Sequence, residues 1–154
     1  MSAETRLARA RAAVAAVPDP EIPTLTIEDL GILRGVALEG DTIVATITPS
    51  YSGCPATQPI ARDVKDALAA AGIPDARVRT VLAPAWSTDW ITETGRRKLI
   101  EAGIAPPERS RPRPSCPLCG SAETEQLSNF GSTPCKALHR CLACREPFEA
   151  FKCH

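Results

Sequence analysis

The chain has 154 residues, 18 basic and 18 acidic side chains, 7 cysteines, and 9 glycines with 15 prolines. That length is about one average domain, the glycine and proline content stays below the disordered range, and no apolar run is long enough for a transmembrane helix. Divided after Ile104, the charges are 11 basic against 13 acidic before and 7 against 5 after, so neither part has the basic excess of a nucleic-acid binder.

Residues from about Ala3 to Val17 predict a helix, with Leu7, Ala10, Val14 and Val17 recurring at three- and four-residue steps. Pro18 and Pro20 end it, and Asp19-Pro20-Glu21-Ile22-Pro23 is extended or turning. Ile27–Leu30 reads as one helical turn closed by Gly31. Two strands, Ile32–Leu38 and Thr42–Thr48, flank a short hairpin turn at Glu39-Gly40-Asp41. After the loop 49–53, a helix is expected from Pro55 to Ala71, its apolar face made by Ile60, Val64, Ala67 and Leu68. Ala76–Leu82 reads as a third strand, Pro84–Trp90 as a loop and Ile91–Ala102 as a helix.

A boundary follows. Five prolines between 106 and 117, interleaved with Arg109, Arg111 and Arg113, predict a stiff, solvated linker. The element order implies an α+β fold: a small mixed sheet packed with helices, followed by a C-terminal zinc-ribbon-like module. The expected division is 1–104, a linker at 105–115, and the module at 116–154.

Six of the seven cysteines fall in the last 39 residues, a stretch too short to build its own core. The N-terminus, Met1–Arg6, leads into an alanine- and arginine-rich stretch without an apolar signal core, so a cytoplasmic protein is expected rather than a secreted disulfide framework. Cys116-Pro-Leu-Cys119 and Cys141-Leu-Ala-Cys144 stand 21 residues apart, close to structural-zinc spacing. Two intervening residues let a tight turn aim both thiolates at one ion, and Gly120 permits the positive φ this requires. Zinc is favoured by four thiolates, with iron or a cluster as the alternative. Segments 123–127, 137–140 and 148–152 supply the short strands of a ribbon. Cys135 serves function and packing equally well on sequence grounds, Cys153 and His154 look peripheral, and His139 looks structural or exposed.

In the first 115 residues the only aromatics are Tyr51, Trp86 and Trp90, all in loops. They either line a pocket or plug the core from outside. Cys54, in Gly53-Cys54-Pro55, is expected to cap the following helix, where the helix N-terminus would lower its pKa and make it reactive or ligating. A buried cap residue is the alternative. Asp19, Glu21 and Asp89 are the carboxylates that could join it at a metal. A catalytic thiol is disfavoured, because both histidines lie in the tail.

These motifs carry a family resemblance. Asp19-Pro-Glu-Ile-Pro23, Leu30-Gly31, Gly53-Cys54-Pro55 and Pro84-Ala-Trp86 through Asp89-Trp90-Ile91 resemble the domain of iron–sulfur cluster assembly and targeting factors. With Phe130-Gly-Ser-Thr-Pro-Cys-Lys136 and Arg145-Glu-Pro-Phe148-Glu-Ala-Phe151-Lys-Cys153, nearly the whole chain resembles the PaaD family. That family is associated with the bacterial ring-1,2-phenylacetyl-CoA epoxidase. The segment Trp86-Ser-Thr-Asp-Trp-Ile91 departs from the broader assembly domain, which more often has a proline and a methionine there, but fits the PaaD subgroup.

The resemblance implies a non-catalytic accessory subunit of a multicomponent monooxygenase in phenylacetate catabolism, acting in metallocentre maturation or partner docking. It further implies a cofactor-binding role for Cys54, Asp19, Glu21 and Cys135, and a ribbon metal held by Cys116, Cys119, Cys141 and Cys144. Expected cofactors are zinc or iron in the ribbon and a transient iron–sulfur cluster. Expected partners are the other epoxidase subunits, with a homodimer left open and no nucleic acid or membrane. A nucleic-acid-binding zinc-ribbon protein is the alternative function.

Overall fold

The computed structural model describes residues 1–50 and 54–153; Tyr51, Gly53 and His154, each singled out above, lie outside the described residues. The chain divides into two compact units, Met1–Thr92 and Glu93–His154. No helix among the described residues is long and apolar enough to cross a membrane.

In the first unit, helix α1 (Ala3–Ala15) starts at Ser2, whose hydroxyl accepts from the Thr5 amide, and turns Ala10 and Val14 into the core. Strands β1 (Leu33–Glu39) and β2 (Thr42–Ile47) form an antiparallel hairpin. Glu39 pairs with Thr42, and Gly40 takes φ +62° in the turn. Helix α2 (Thr57–Ala70) carries the chain over to β3 (Arg77–Thr80), which pairs parallel to β2. The sheet order is therefore β1-β2-β3 and the sheet is mixed. Ile60, Val64 and Leu68 of α2, Ile43, Ala45 and Ile47 of β2, and Val14 of α1 are all buried.

Of two local expectations, one holds and one changes. Residues 27–31 form the expected single helical turn, the Leu30 amide donating to Thr26 O at 3.2 Å, with Asp29 Oδ2 accepting from the Thr26 amide and Thr26 Oγ1 from the Asp29 amide at its start. Such a reciprocal pair is a capping box, which satisfies the free amides at the start of a helical turn. The second helix begins at Thr57, after a turn in which the Thr57 amide donates to Cys54 O at 3.1 Å.

The second unit opens with α3 (Glu93–Glu101) and a two-residue strand, β4 (Ile104–Ala105). Strands β5 (Thr124–Ser128), β6 (Lys136–Cys141) and β7 (Pro147–Phe151) form an antiparallel ribbon, and β4 adds parallel to β7. The order is β4-β7-β6-β5. Residues 93–104, read above as the end of the first part, thus belong to the compact unit of the ribbon. The proline-rich stretch is exposed from Glu108 to Arg113, as expected of a linker, but it is tied down by hydrogen bonds. Arg96 Nη1 donates to Pro107 O at 2.7 Å, Arg113 Nη1 to Thr124 O at 3.2 Å, and Thr124 Oγ1 to Pro114 O at 2.7 Å. These bonds lace the stretch to α3 on one side and to β5 on the other.

Candidate metal centre

The two Cys-x-x-Cys turns are built alike. Cys116 N donates to Ser121 O at 2.8 Å, and Cys141 N to Glu146 O at 3.0 Å, so each turn closes over six residues. The residue after each second cysteine is left-handed: Gly120 at φ +80° and Arg145 at φ +69°. Each turn also directs an amide at its first sulfur, Leu118 N to Cys116 Sγ and Cys144 N to Cys141 Sγ, both at 3.4 Å. Thus Gly120 does what the sequence required of it, and Arg145 does the same without glycine's freedom.

The turns bring all four sulfurs within 4.8 Å of one another. Cys116 and Cys144 Sγ are 3.8 Å apart, Cys119 and Cys141 Sγ 3.5 Å. A zinc–sulfur bond of about 2.3 Å in a regular tetrahedron puts sulfurs about 3.8 Å apart, so the donors present fit the ion. Ala105, Phe148 and Ala150 pack with Cys116 and Cys141 around the site. The Cys144 amide draws the Cys141 thiol down to about 6, against burial and with help from the Ala143 amide and the Cys119 and Cys144 thiols. At Cys144 the Glu146 amide acts to lower the pKa, but burial and the Cys141, Cys116 and Cys119 thiols outweigh it and push the value up to about 12. Four thiols this close do not all ionise unless a cation shares the charge, so metal binding here releases protons. Four protein ligands also close the tetrahedron, which is the pattern of a structural site and not of one that activates water or substrate.

Among the described residues, no other three Cys, His, Asp or Glu side chains gather in this way. Asp19 is buried, with Oδ1 accepting from the Glu21 and Ile22 amides at 2.9 and 2.8 Å, so it organises its own loop. Glu21 is half-buried in that loop, and Asp89 is exposed. Cys54 is half-buried, and Ser50 Oγ donates to its sulfur at 3.7 Å. It stands three residues before the first residue of α2, and Ala56 occupies the cap position, so Cys54 is not the cap and Pro55 is not the first helical residue. In the second unit Cys135 is buried with Thr133 Oγ1 at 3.0 Å from its sulfur, and Cys153 is exposed.

The loop tryptophans are structural. Trp86 is buried and its Nε1 donates to Leu30 O at 2.9 Å. Trp90 is half-buried under the Arg34 guanidinium, 3.6 Å from the ring centroid. A Cβ on Gly31 would lie 2.5 Å from Trp90 Cβ, which accounts for glycine in Leu30-Gly31. His139 is buried and stacks on Phe148 at 5.6 Å between centroids, and burial pushes its pKa down. Sequence reasoning missed Glu149, whose carboxylate accepts from Ser132 N at 2.6 Å and lies 3.7 Å from Lys136 Nζ. The glycine in Phe130-Gly-Ser could have indicated it, because a Cβ on Gly131 would meet Glu149 Oε2 at 2.3 Å.

Comparison with known proteins follows the same two units. Residues 7–83 match the iron-sulfur cluster assembly protein family, and residues 105–152 match the PaaD zinc beta ribbon domain. A crystal structure of a domain of unknown function, DUF59, from Bacillus anthracis is 31% identical with a TM-score of 0.54 and covers 62% of this chain and 92% of its own. A protein of Escherichia coli (strain K12) named as a subunit of 1,2-phenylacetyl-CoA epoxidase is 48% identical over 143 residues, 89% of this chain and 87% of that protein. With both its assembly-type unit and its ribbon matched, and that relative aligned over nearly its full length, the chain belongs to the PaaD family of 1,2-phenylacetyl-CoA epoxidase subunits.

Proposed function

We propose that this protein is a cytoplasmic accessory component of a phenylacetyl-CoA epoxidase system and serves the metal centres of partner subunits rather than their organic substrate. The observation that carries this reading is the presence, on one chain, of an iron–sulfur-assembly unit and a ribbon of the PaaD type. The closed four-cysteine geometry supports it, since a zinc ion held there would brace the ribbon and leave no position for chemistry. Iron or a cluster in transit would then need ligands elsewhere. Cys54 is the one cysteine of the first unit, and its thiol is partly accessible. Asp19 and Glu21 would assist from their loop, and Cys135 would act from the ribbon unit, which would dock the client.

The test is made in cells whose own copy of the gene is deleted. Complementation with Cys54→Ser is expected to leave the client subunits short of iron and the epoxidase inactive, while the ribbon retains its metal. Full epoxidase activity with Cys54→Ser would remove Cys54 from the role.

A further inference from the structure

In the second unit, the segment 106–114 and the ribbon sheet together line an open pocket of about 190 Å³. At about 30 Å³ of liquid volume per water, it holds several waters or a small polar group. Its floor comes from Ala137 and Ala150, paired across β6 and β7. Its polar wall comes from Arg111, Lys152, Gln126, Asn129, His139 and Glu108.

Three observations give this wall a preference. Two cations face one carboxylate, and Glu108 is already 3.4 Å from Arg111 in an exposed pair, the kind that contributes little and exchanges readily. Lys152 has no carboxylate of its own among the described residues; its Nζ lies 4.2 Å from the centroid of Phe130, a ring 63% exposed. The wall also contains His139, whose Nδ1 is buried without a partner, so hydrogen-bonding capacity there is left unused by the protein. The amides of Gln126 and Asn129 add uncharged donors.

We propose that this pocket binds a carboxylate, held by Arg111 and Lys152 and oriented by the Gln126 and Asn129 side chains. The group could be borne by a free small acid or by an acidic side chain of a partner polypeptide; its chemistry at the wall is the same. This is independent of whether Cys54 carries iron.

Cys153 is exposed and lines the same pocket, which supplies the assay. The metal-loaded, full-length protein is equilibrated with equal amounts of the disulfides of 3-mercaptopropionate and its neutral isostere 3-mercaptopropionamide, and the adducts on Cys153 are quantified by mass spectrometry. Relative to the same competition in urea, the carboxylate adduct is expected to be favoured about fivefold, the size of an exposed ion pair. Arg111→Gln and Lys152→Gln, with metal content and circular dichroism unchanged, should each reduce that preference. No preference, or one that survives both substitutions, overturns the proposal. Added acetate that lowers the carboxylate adduct as readily as acetyl-Gly-Glu-Gly-amide assigns the site to a free acid; displacement by the peptide alone assigns it to a side chain. Displacement by neither overturns it.

Discussion

At the scale of single residues, Gly31 and Arg145 occupy the same backbone region with opposite consequences. Gly31, at φ +72°, has no room for a side chain against Trp90. Gly31→Ala combines a left-handed backbone penalty with a steric clash and should destabilise the first unit by about 2–4 kcal/mol, measured by urea unfolding followed through tryptophan fluorescence. Arg145 pays the left-handed penalty in the native protein. Arg145→Gly should stabilise the ribbon unit by about 0.5–1 kcal/mol, the penalty relieved less glycine's own entropy, without changing metal content.

At the scale of elements, the loop 129–135 between β5 and β6 depends on Glu149 of β7. Burial alone would raise this carboxyl, but the Ser132 amide and hydroxyl and the nearby Lys136 ammonium together hold it below its ordinary 4.5. Since the folded value lies below the unfolded one, the stabilisation is complete above pH 4.5 and is lost as pH falls through the folded value. Glu149→Gln should cost about 1–2 kcal/mol near neutral pH, read as faster hydrogen exchange at Ser132, and the gap from the native protein should narrow below pH 4.5. Elements with a strong period were legible in the sequence: α1, α2, the β1–β2 hairpin and the three ribbon strands all lie within a few residues of expectation. What was illegible depends on distant partners. Ile104–Ala105 has no strand pattern of its own and becomes β4 only because β7 offers an edge. Trp86 reads equally as a pocket residue or a plug on the core until Leu30 O, 56 positions away, accepts a hydrogen bond from its indole N–H. Of the site, the four ribbon cysteines were legible from spacing, whereas the pocket by His139 was not, since its wall draws on three strands and the proline segment.

At the scale of the molecule, the two units are stabilised by different means. The first buries a core of Leu25, Ile27, Ile43, Ile47, Leu68 and Val14, all nearly inaccessible. The second has a small cluster around its cysteines, so its folding should depend on metal, as in modules whose metal-binding free energy is folding free energy. Treatment with a strong chelator should therefore abolish protection of the β5–β7 amides while the β1–β3 amides stay protected, which two-dimensional NMR distinguishes. The most direct measurement of the central claim is anaerobic reconstitution of the zinc-loaded protein with iron and sulfide, with metal analysis and absorbance read for the native chain and for Cys54→Ser. The account predicts one zinc per chain retained in both and an iron–sulfur chromophore only in the native chain; an equal chromophore in both, or one formed only by displacing the zinc, would contradict it.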